Sequence, residues 1–516
     1  MLSRVWSSTV LGVDALPVEV ETHTRGGLPR FYIVGLPDGA VRESRDRILA
    51  ALRASDLPRP KGTITVNLAP ANLRKEGTAL DLPIAIGLIA TASEDIDPQI
   101  LEESMIAGEL SLHGPIRPVR GILPMTIRAK RDGKKRVIVP VDNAEEAAVV
   151  SDIDVMPVQS IQEACELLRG EKKIIPFQHD VDALFERAQA YPVDFAEVRG
   201  QQNAKRAMEV AAAGGHNLLM VGPPGSGKTM LARRLPTILP PLTMEEALET
   251  TKILSVGGKL RRNTGLVATR PFRAPHHTIS DAGLCGGGAN PKPGEISCAH
   301  NGILFLDELP EFKRQVLEVL RQPLEEGTIT ISRAQFSVTY PARCLLIAAM
   351  NACLCGFLTD ASRICSCTPQ QIQRYLSKVS GPLLDRIDVH VEVMPVPFED
   401  ISSVRDGELS SIIRNRVIQA RQIQHHRFSS HHGVHCNAMM GARLVRHYCH
   451  LDDACTKLMK MAIDKLGLSA RAYDRILKVA RTVADLAGSR EIEASHLSEA
   501  IQYRALDRKW GELRSG

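Results

Sequence analysis

One short segment limits this 516-residue chain to a small group of folds. Residues 222–229 read GPPGSGKT, and they follow an apolar run at 218–221 that has the composition of a buried strand. Glycines at this spacing allow backbone N–H groups to close around phosphates, and a helical pattern begins at Met230. A strand, a glycine-rich loop and a helix in this order predict a phosphate-binding loop in an α/β domain.

Every residue of the loop is a candidate for nucleotide binding. Lys228 is expected to reach the β- and γ-phosphates, and the Thr229 hydroxyl is expected to hold Mg²⁺. The candidate cofactor-binding residues are Gly222, Pro223, Pro224, Gly225, Ser226, Gly227, Lys228 and Thr229.

A second motif, ILFLDE at residues 303–308, places two carboxylates at the end of another apolar run. Asp307 is expected to bind Mg²⁺, and Glu308 is expected to polarise the attacking water. Either motif can occur by chance, but the pair in this order is typical of nucleotide hydrolases. The sequence therefore predicts an enzyme that hydrolyses ATP with Mg²⁺.

Length and composition indicate an ordinary globular protein of about three domains, with 44% hydrophobic residues. The longest uncharged apolar stretch, residues 82–92, is too short for a transmembrane helix. The N-terminus has no secretory pattern, and an odd count of eleven cysteines argues against a disulfide framework. We expect a cytoplasmic protein without a membrane partner.

Positive charge is concentrated near the C-terminus. Residues 401–516 contain 19 Lys and Arg against 12 Asp and Glu, whereas the whole chain has a net charge of +5. A basic lobe of this kind suits a polyanionic partner, and charge alone suits a solvated helical surface equally well.

The patterns divide the chain into four segments. Residues 1–168 alternate β-like and helical runs, which indicates an α/β domain. Residues 169–193 are charged and interrupted by prolines, and they are predicted to form a linker. Residues 194–395 hold the nucleotide motifs, and residues 396–516 have the helical periodicity of a lid domain.

Three further polar residues stand in positions that resemble those of AAA+ ATPases. Asn351 ends a third apolar run and would be sensor 1, which helps to orient the attacking water. Residues 381–388, GPLLDRID, are similar to a segment of magnesium chelatases and MCM helicases, so the resemblance makes Arg386 an arginine finger for a neighbouring subunit. Arg471 looks like sensor 2. A surface salt bridge is the alternative for either arginine alone, and their register with the other motifs favours the functional roles.

Nearly the whole chain resembles the bacterial magnesium-chelatase-like ATPases of the ComM/YifB type. Residues 194–201, 211–218, 272–278 and 371–375 carry this resemblance. It implies a ring, expected to be a hexamer, that hydrolyses ATP and drives helicase action or branch migration on DNA during natural transformation and recombination. Composition and spacing by themselves indicate only an oligomeric ATPase.

Two inserts of the predicted ATPase core resemble channel-facing elements of the chelatase and MCM branch. One runs from about residue 271 to 297 and is rich in glycine. The other, residues 328–339, has two β-rich halves and predicts a hairpin. Arg333 at its tip is a candidate contact for the DNA backbone, with an ordinary exposed turn arginine as the alternative.

The first domain resembles the proteolytic domain of Lon, which has an S5-like fold. Residues 75–81 match the stretch that carries the Lon serine, and residues 108–114 and 118–123 match the stretch that carries the Lon lysine, but Ala79 and Leu123 occupy those two positions. A Ser–Lys mechanism needs a hydroxyl and an amine that accepts its proton. We expect the fold without peptide hydrolysis, so that the domain serves as a scaffold, a nucleic-acid contact or a partner platform.

Four cysteines stand close together as CxC, nine residues and CxC, namely Cys353, Cys355, Cys365 and Cys367. Four thiolates in a short window suit a tetrahedral structural Zn²⁺ site. The CxC spacing is less usual than CxxC, so four unligated thiols are the alternative.

Two other functions stay open on sequence alone. A motor subunit of a metal chelatase shares the ATPase core, although the Lon-like domain and the cysteine quartet are not expected in such a subunit. No residue of the sequence excludes a protein-remodelling ATPase.

Overall fold

A computed structural model describes most of the chain: residues 1–93, 95–178, 180, 185, 191–261, 264–288, 291–333, 336–360, 363–396 and 407–507. The side chains of Arg333 and Phe336 lie outside this description, and so do residues 179, 181–184 and 186–190 of the predicted linker. Short 3₁₀ segments lie at Val141–Asn143, Phe195–Glu197, Leu235–Ile238, Leu309–Glu311 and Asn437–Met439.

The N-terminal region mixes strands and helices, as its sequence predicts. Its strands are β1 (Leu2–Leu11), β2 (Asp14–Arg25), β3 (Arg30–Val34), β4 (Thr63–Ala69), β5 (Ser104–Ile106), β6 (Glu109–Leu110), β7 (Ile116–Arg117), β8 (Arg136–Pro140) and β9 (Asp154–Val158). Its helices are α1 (Gly39–Ala54), α2 (Asp81–Ala92), α3 (Pro98–Glu102), α4 (Ile122–Arg131), α5 (Ala144–Ala147) and α6 (Ile161–Leu168). One mixed sheet has the order β3-β4-β2-β1-β5-β8-β9, in which β1, β2 and β4 pair antiparallel and the neighbours from β1 to β9 pair parallel.

The long apolar stretch at residues 82–92 lies in a core helix. Helix α2 is apolar on every side and is buried from Asp81 to Ile89, in contact with β1 and β2. The Asp81 carboxylate at its start accepts hydrogen bonds from Arg47 Nε and Nη2 at 2.8 and 3.0 Å, so its buried charge is paired. Among the described residues, no helix is both long and apolar enough to cross a membrane.

The second sheet is parallel throughout. Its strands are β10 (Leu218–Val221), β11 (Phe272–Arg273), β14 (Ile303–Leu306), β17 (Leu345–Met350) and β18 (Val389–Glu392). Their order is β11-β14-β17-β10-β18. The central strands β10, β14 and β17 are wholly buried, which explains their continuous apolar runs. Because the strands are parallel, the residues that follow these three strands meet at one edge of the sheet.

The helices of this region surround the sheet. They are α7 (Gln202–Gly214), α8 (Lys228–Arg234), α9 (Met244–Val256), α10 (Asp281–Cys285), α11 (Glu295–Cys298), α12 (Arg314–Glu318), α13 (Arg321–Glu326), α14 (Pro369–Leu376) and α15 (Gly381–Leu384). Two short ribbons join them, β12 (Gly286–Gly287) with β13 (Lys292–Pro293) and β15 (Thr328–Arg333) with β16 (Phe336–Pro341). The second ribbon confirms the predicted hairpin, with the backbones of Arg333 and Phe336 as its last pair.

The C-terminal segment is helical, as predicted, within its described residues. Its helices are α16 (Ser410–Arg427), α17 (Ala442–Tyr448), α18 (Asp453–Leu466), α19 (Ala470–Leu486) and α20 (Ala494–Gln502). One cluster of buried apolar side chains includes Leu218 and Ile347 of the sheet together with Val417 and Val483 of the helices. The helices and the sheet therefore share a hydrophobic core.

Buried hydrogen bonds join the N-terminal domain to helix α9. Ser255 Oγ accepts from the Gly121 N–H at 3.0 Å and donates to the Glu146 carboxylate. The same carboxylate accepts from the Leu123 N–H at 2.8 Å. Burial raises the pKa of Glu146. The two domains thus meet at a polar junction, and buried apolar side chains such as Leu242 pack around it.

Candidate active site

The phosphate-binding loop has a backbone that only glycine adopts at low cost. Gly225 and Gly227 have φ angles of 78° and 88°. A Cβ built on Gly225 would meet no atom within 4 Å, so the space beside this residue is open to a ligand. A Cβ on Gly222 would instead lie 2.1 Å from the Val393 carbonyl oxygen, so this position requires glycine for a close backbone contact.

Lys228 lies beneath the loop with its ammonium group directed at loop oxygens. Its Nζ donates to the carbonyl oxygens of Gly222 and Pro223 at 2.8 and 2.9 Å and to Asn351 Oδ1 at 3.2 Å. Burial lowers the pKa of Lys228. The oxygens that accept from Nζ are all neutral, and the charge of the nearby Asp307 carboxylate offsets only part of the effect of burial, which favours an anionic ligand here.

Thr229 and Asp307 are in direct contact across the sheet edge. Thr229 Oγ1 donates to Asp307 Oδ2 at 2.6 Å. The hydroxyl comes from helix α8, and the carboxylate follows the end of β14. Hydroxyl and carboxylate oxygens are ligands that suit Mg²⁺, so this pair could hold the ion.

Glu308 is turned out of the line of its strand. Its φ angle is 52°, which is unusual for a residue other than glycine, and its N–H donates to Asp307 Oδ1 at 3.0 Å. The side chain is exposed, and its Oε2 lies 3.4 Å from His277 Nδ1. The Glu308 carboxylate is therefore accessible to water.

The two predicted arginines lie away from these contacts. Arg386 is only 7% exposed, and it pairs with Glu325 and donates from Nη1 to the Pro382 carbonyl at 2.6 Å. Arg471 is exposed in the first turn of helix α19. The structure therefore brings together Lys228, Thr229, Asp307 and Asn351, with Glu308 adjacent, and it leaves the arginines apart from them.

Further residues contact the site, although no role in it was predicted for them. Gln201, at φ 56°, donates from Nε2 to the Ser226 carbonyl at 3.3 Å and to the Met394 carbonyl. His277 contacts Glu308, as described above. Both residues lie in segments that carry the family resemblance, and no local pattern indicated their contacts.

A third contact comes from the loop after Asn351. A Cβ on Gly356 would lie 2.5 Å from Pro224 Cδ, so the backbone of Gly356 packs against the phosphate-binding loop. This loop also carries the four clustered cysteines. Their sulfur atoms all lie within 4.8 Å of one another. The N–H groups of Phe357 and Ser366 lower the pKa of Cys355 to about 5.

The positions matched to the Lon dyad are apolar and packed. Ala79 is buried in the same cluster as Ile122, and Leu123 is buried in the cluster that contacts Leu242. The Leu123 N–H donates to Glu146 at the domain junction, and the Leu123 side chain has no amine. Neither position can supply the nucleophile or the base of a Ser–Lys protease.

The parallel sheet, the phosphate-binding loop and the acidic strand end together define an ATPase of the AAA+ type. Comparison with known families agrees: residues 194–401 match "Magnesium chelatase, subunit ChlI", residues 20–143 match "Subunit ChlI of Mg-chelatase", and residues 407–504 match "Magnesium chelatase, subunit ChlI C-terminal". The chain belongs to the magnesium-chelatase-like proteins of the ComM/YifB type.

Two full-length relatives support this assignment. The "Competence protein ComM" of Haemophilus influenzae is 44% identical over 511 residues, which cover 98% of each chain. The "Uncharacterized protein YifB" of Escherichia coli is 43% identical over 510 residues, again with 98% of each chain covered. A shorter likeness, 29% identical over 160 residues, covers 28% of this chain and 28% of "Lon protease 2" of Bacillus subtilis.

Proposed function

We propose that this protein is an ATP-driven ring motor that acts on DNA, as a helicase or in branch migration, during natural transformation and recombination. The observation that carries the proposal is the match along nearly the whole chain to a relative named as a competence protein. The contacts around Lys228 and Asp307 support the ATPase part.

The residues of the loop fit a triphosphate with Mg²⁺. In the proposed mechanism, Lys228 and the N–H groups of residues 225–229 bind the phosphates, and Thr229 with Asp307 would hold the metal ion. Mg²⁺, when bound, neutralises charge on the phosphate oxygens. Asn351, already in contact with Lys228 Nζ, helps to orient the attacking water.

Glu308 is the proposed general base. Its carboxylate takes a proton from the attacking water, and its exposure leaves a path for that proton to solvent. The contact with His277 offers the carboxylate a second partner when no water is in place. His277 is therefore proposed as a positioning residue for Glu308.

The ring is part of the same proposal. Arg386 and Arg471 would complete the ATP site at a boundary between subunits of a hexamer, with Arg386 released from Glu325 when subunits assemble. The ribbon β15–β16 would face the channel, where Arg333 would contact the DNA backbone. We also propose a cytoplasmic location, since a reducing compartment keeps thiols such as the eleven free cysteines from forming disulfides.

The test is the stimulation of ATP hydrolysis by ligand. Forked or branched DNA is expected to raise the turnover of the full chain several-fold, and Lys228→Ala is expected to abolish hydrolysis with or without DNA because the phosphate contact is lost. Lys457→Ala, an exposed change on helix α18, is the matched control and should behave as the wild type.

The alternatives are separate arms of the same experiment. The names of the matching family models favour a chelatase motor subunit as the second candidate. Stimulation by protoporphyrin, or by an unfolded protein, without any response to DNA would overturn the DNA proposal. Stimulation by protoporphyrin would support the chelatase motor, and stimulation by an unfolded protein would support a protein-remodelling ATPase.

A further inference from the structure

The loop between Asn351 and helix α14 packs on an apolar cluster only in part: Cys353 and Leu358 contact the cluster, and the outer part of the loop has little apolar support. In its described residues, Leu354 is 60% exposed and Ile364 is 96% exposed. Two large aliphatic side chains that face solvent contribute little to holding a loop in one conformation. Another interaction has to fix it.

Four sulfur atoms converge inside this loop. Cys353 Sγ lies 3.4 Å from Cys355 Sγ and 3.6 Å from Cys365 Sγ, and Cys355 Sγ lies 3.5 Å from Cys365 Sγ. The fourth sulfur, of Cys367, lies within 4.8 Å of the other three. A disulfide needs sulfurs about 2.05 Å apart, and all four cysteines are free.

The spacing of the sulfurs matches a single tetrahedral metal ion. Four thiolates about 2.3 Å from a central Zn²⁺ have sulfurs roughly 3.8 Å apart. The three sulfur–sulfur distances given above are close to that value. They are shorter than the distances between cysteine sulfurs that bind different metal ions of a multi-metal cluster. Backbone donors already support the set, since the Cys355 N–H donates to Cys367 Sγ at 3.3 Å and the N–H groups of Phe357 and Ser366 donate to Cys355.

The location of the cluster connects it to the phosphate-binding loop. Cys353 follows Asn351 by two residues, and Asn351 accepts from Lys228 Nζ at 3.2 Å. Gly356, between the two cysteine pairs, packs on Pro224. The cluster therefore lies beside both residues, Asn351 and Gly356, that contact the phosphate-binding loop from this side.

We propose that Cys353, Cys355, Cys365 and Cys367 bind one structural Zn²⁺, and that this ion braces Asn351 and Gly356 against the phosphate-binding loop. The four thiols lose their protons when the ion binds. No electron transfer is involved. The second half of the proposal rests on the proposed ATPase function, whereas zinc binding itself does not.

The first experiment measures metal content of the full chain. Elemental analysis of protein purified without added metal is expected to give about one zinc per chain, and Cys365→Ser or Cys367→Ser should lose most of it. Cys285→Ser is the matched control. The Cys285 thiol is half-buried and packs against the same apolar cluster as Cys365 and Cys367, but it lies outside the group of four, so this variant should keep the zinc. Absence of metal in the wild type, or full zinc in both variants, overturns the site.

A second measurement avoids the risk that a variant fails to fold. Wild-type protein produced with Co²⁺ should show the absorption bands of a tetrahedral tetrathiolate ion. Octahedral cobalt bands, or the colour of an iron–sulfur cluster in protein produced without cobalt, would contradict a zinc tetrathiolate.

The bracing role has its own readout. Removal of the metal with a thiol reagent and chelator is expected to weaken binding of a fluorescent ATP analogue roughly tenfold, or ~1.4 kcal/mol, and zinc with reductant should restore it. Unchanged nucleotide affinity with a confirmed zinc site would overturn the bracing role alone. A DNA-insensitive ATPase that still contains zinc would overturn the proposed function and leave this site intact.

Discussion

At the residue scale, Glu308 combines a left-handed backbone, solvent exposure and a partner that lies far away in the sequence. Strained backbone of this kind persists only where surrounding structure fixes it, and it is concentrated at functional sites. Here the Asp307 carboxylate fixes it by accepting the Glu308 N–H at 3.0 Å. The side chain is exposed and contacts His277, which suits a group that acts on water.

Glu308→Gln is expected to separate binding from turnover. ATP binding should persist because Lys228, Thr229 and Asp307 keep their contacts, while hydrolysis should fall about 10²- to 10⁴-fold with loss of the base. Phosphate release and retained nucleotide are the two measurements. Glu311→Gln is the control, since Glu311 is an exposed carboxylate that pairs with Lys378 at 3.2 Å and lies outside the site. Normal turnover in Glu308→Gln would show that another group is the base.

The strand, loop and helix that carry Lys228 and Thr229 could be predicted from the sequence, and the contact of His277 could not. A fixed spacing along one strand, loop and helix sets where Lys228 and Thr229 lie. His277 reaches Glu308 only because β11 pairs in parallel with β14, with Phe272 opposite Ile303. Such a contact depends on tertiary packing across an insert, which no local pattern encodes.

At the scale of elements, the buried parallel strands were predictable and β1 was not. Strands β10, β14 and β17 are apolar at every position because both faces of the sheet are covered. In β1 the buried side chains include Ser7, Ser8 and Thr9, so the strand lacks the alternation of apolar residues that identifies half-buried strands. Pairing with β2 along its whole length, and with β5 on the other side, stabilises it instead.

The junction between α4, α5 and α9 should make stability depend on pH. Burial raises the pKa of Glu146 above its ordinary value of 4.5. The folded chain then binds this proton more tightly than the unfolded chain does, so the free energy of unfolding should fall as pH rises from 4.5 through the raised pKa. Glu146→Gln should flatten this part of the profile.

Unfolding midpoints measured across that pH range test the junction. Glu145→Gln is the control, because it is adjacent in sequence and takes no part in the hydrogen bonds of Ser255 and Leu123. Identical profiles for the wild type and Glu146→Gln would contradict a titrating group at the junction.

At the scale of the whole molecule, the partner of Arg386 in the single chain differs from the partner that it would need in an assembly. In the single chain this guanidinium pairs with Glu325 and is almost fully buried. An arginine that serves a neighbouring ATP site has to exchange that partner for phosphate oxygens. The sequence could indicate the role by resemblance, but the local partner comes from helix α13 and depends on the fold.

Mixed assemblies test whether Arg386 acts on a neighbouring subunit. Arg386→Ala and Lys228→Ala should each be inactive alone, and a mixture should regain activity because some boundaries then combine an intact lysine with an intact arginine. The control is Lys228→Ala mixed with Glu308→Gln, two defects on the same side of a boundary, which should stay inactive. A mixture of Arg386→Ala and Lys228→Ala that gains nothing would exclude the trans role.

The apolar cluster shared by the sheet and the C-terminal helices has a mechanical consequence. Swinging α16 and α19 away from β10 would expose side chains such as Val417 and Val483 to water, at a cost of about 25 cal/mol for each Å². A hinge motion that separates these helices from the sheet is therefore disfavoured within one chain. Any displacement that follows ATP hydrolysis should therefore move the sheet and these helices together as one rigid body.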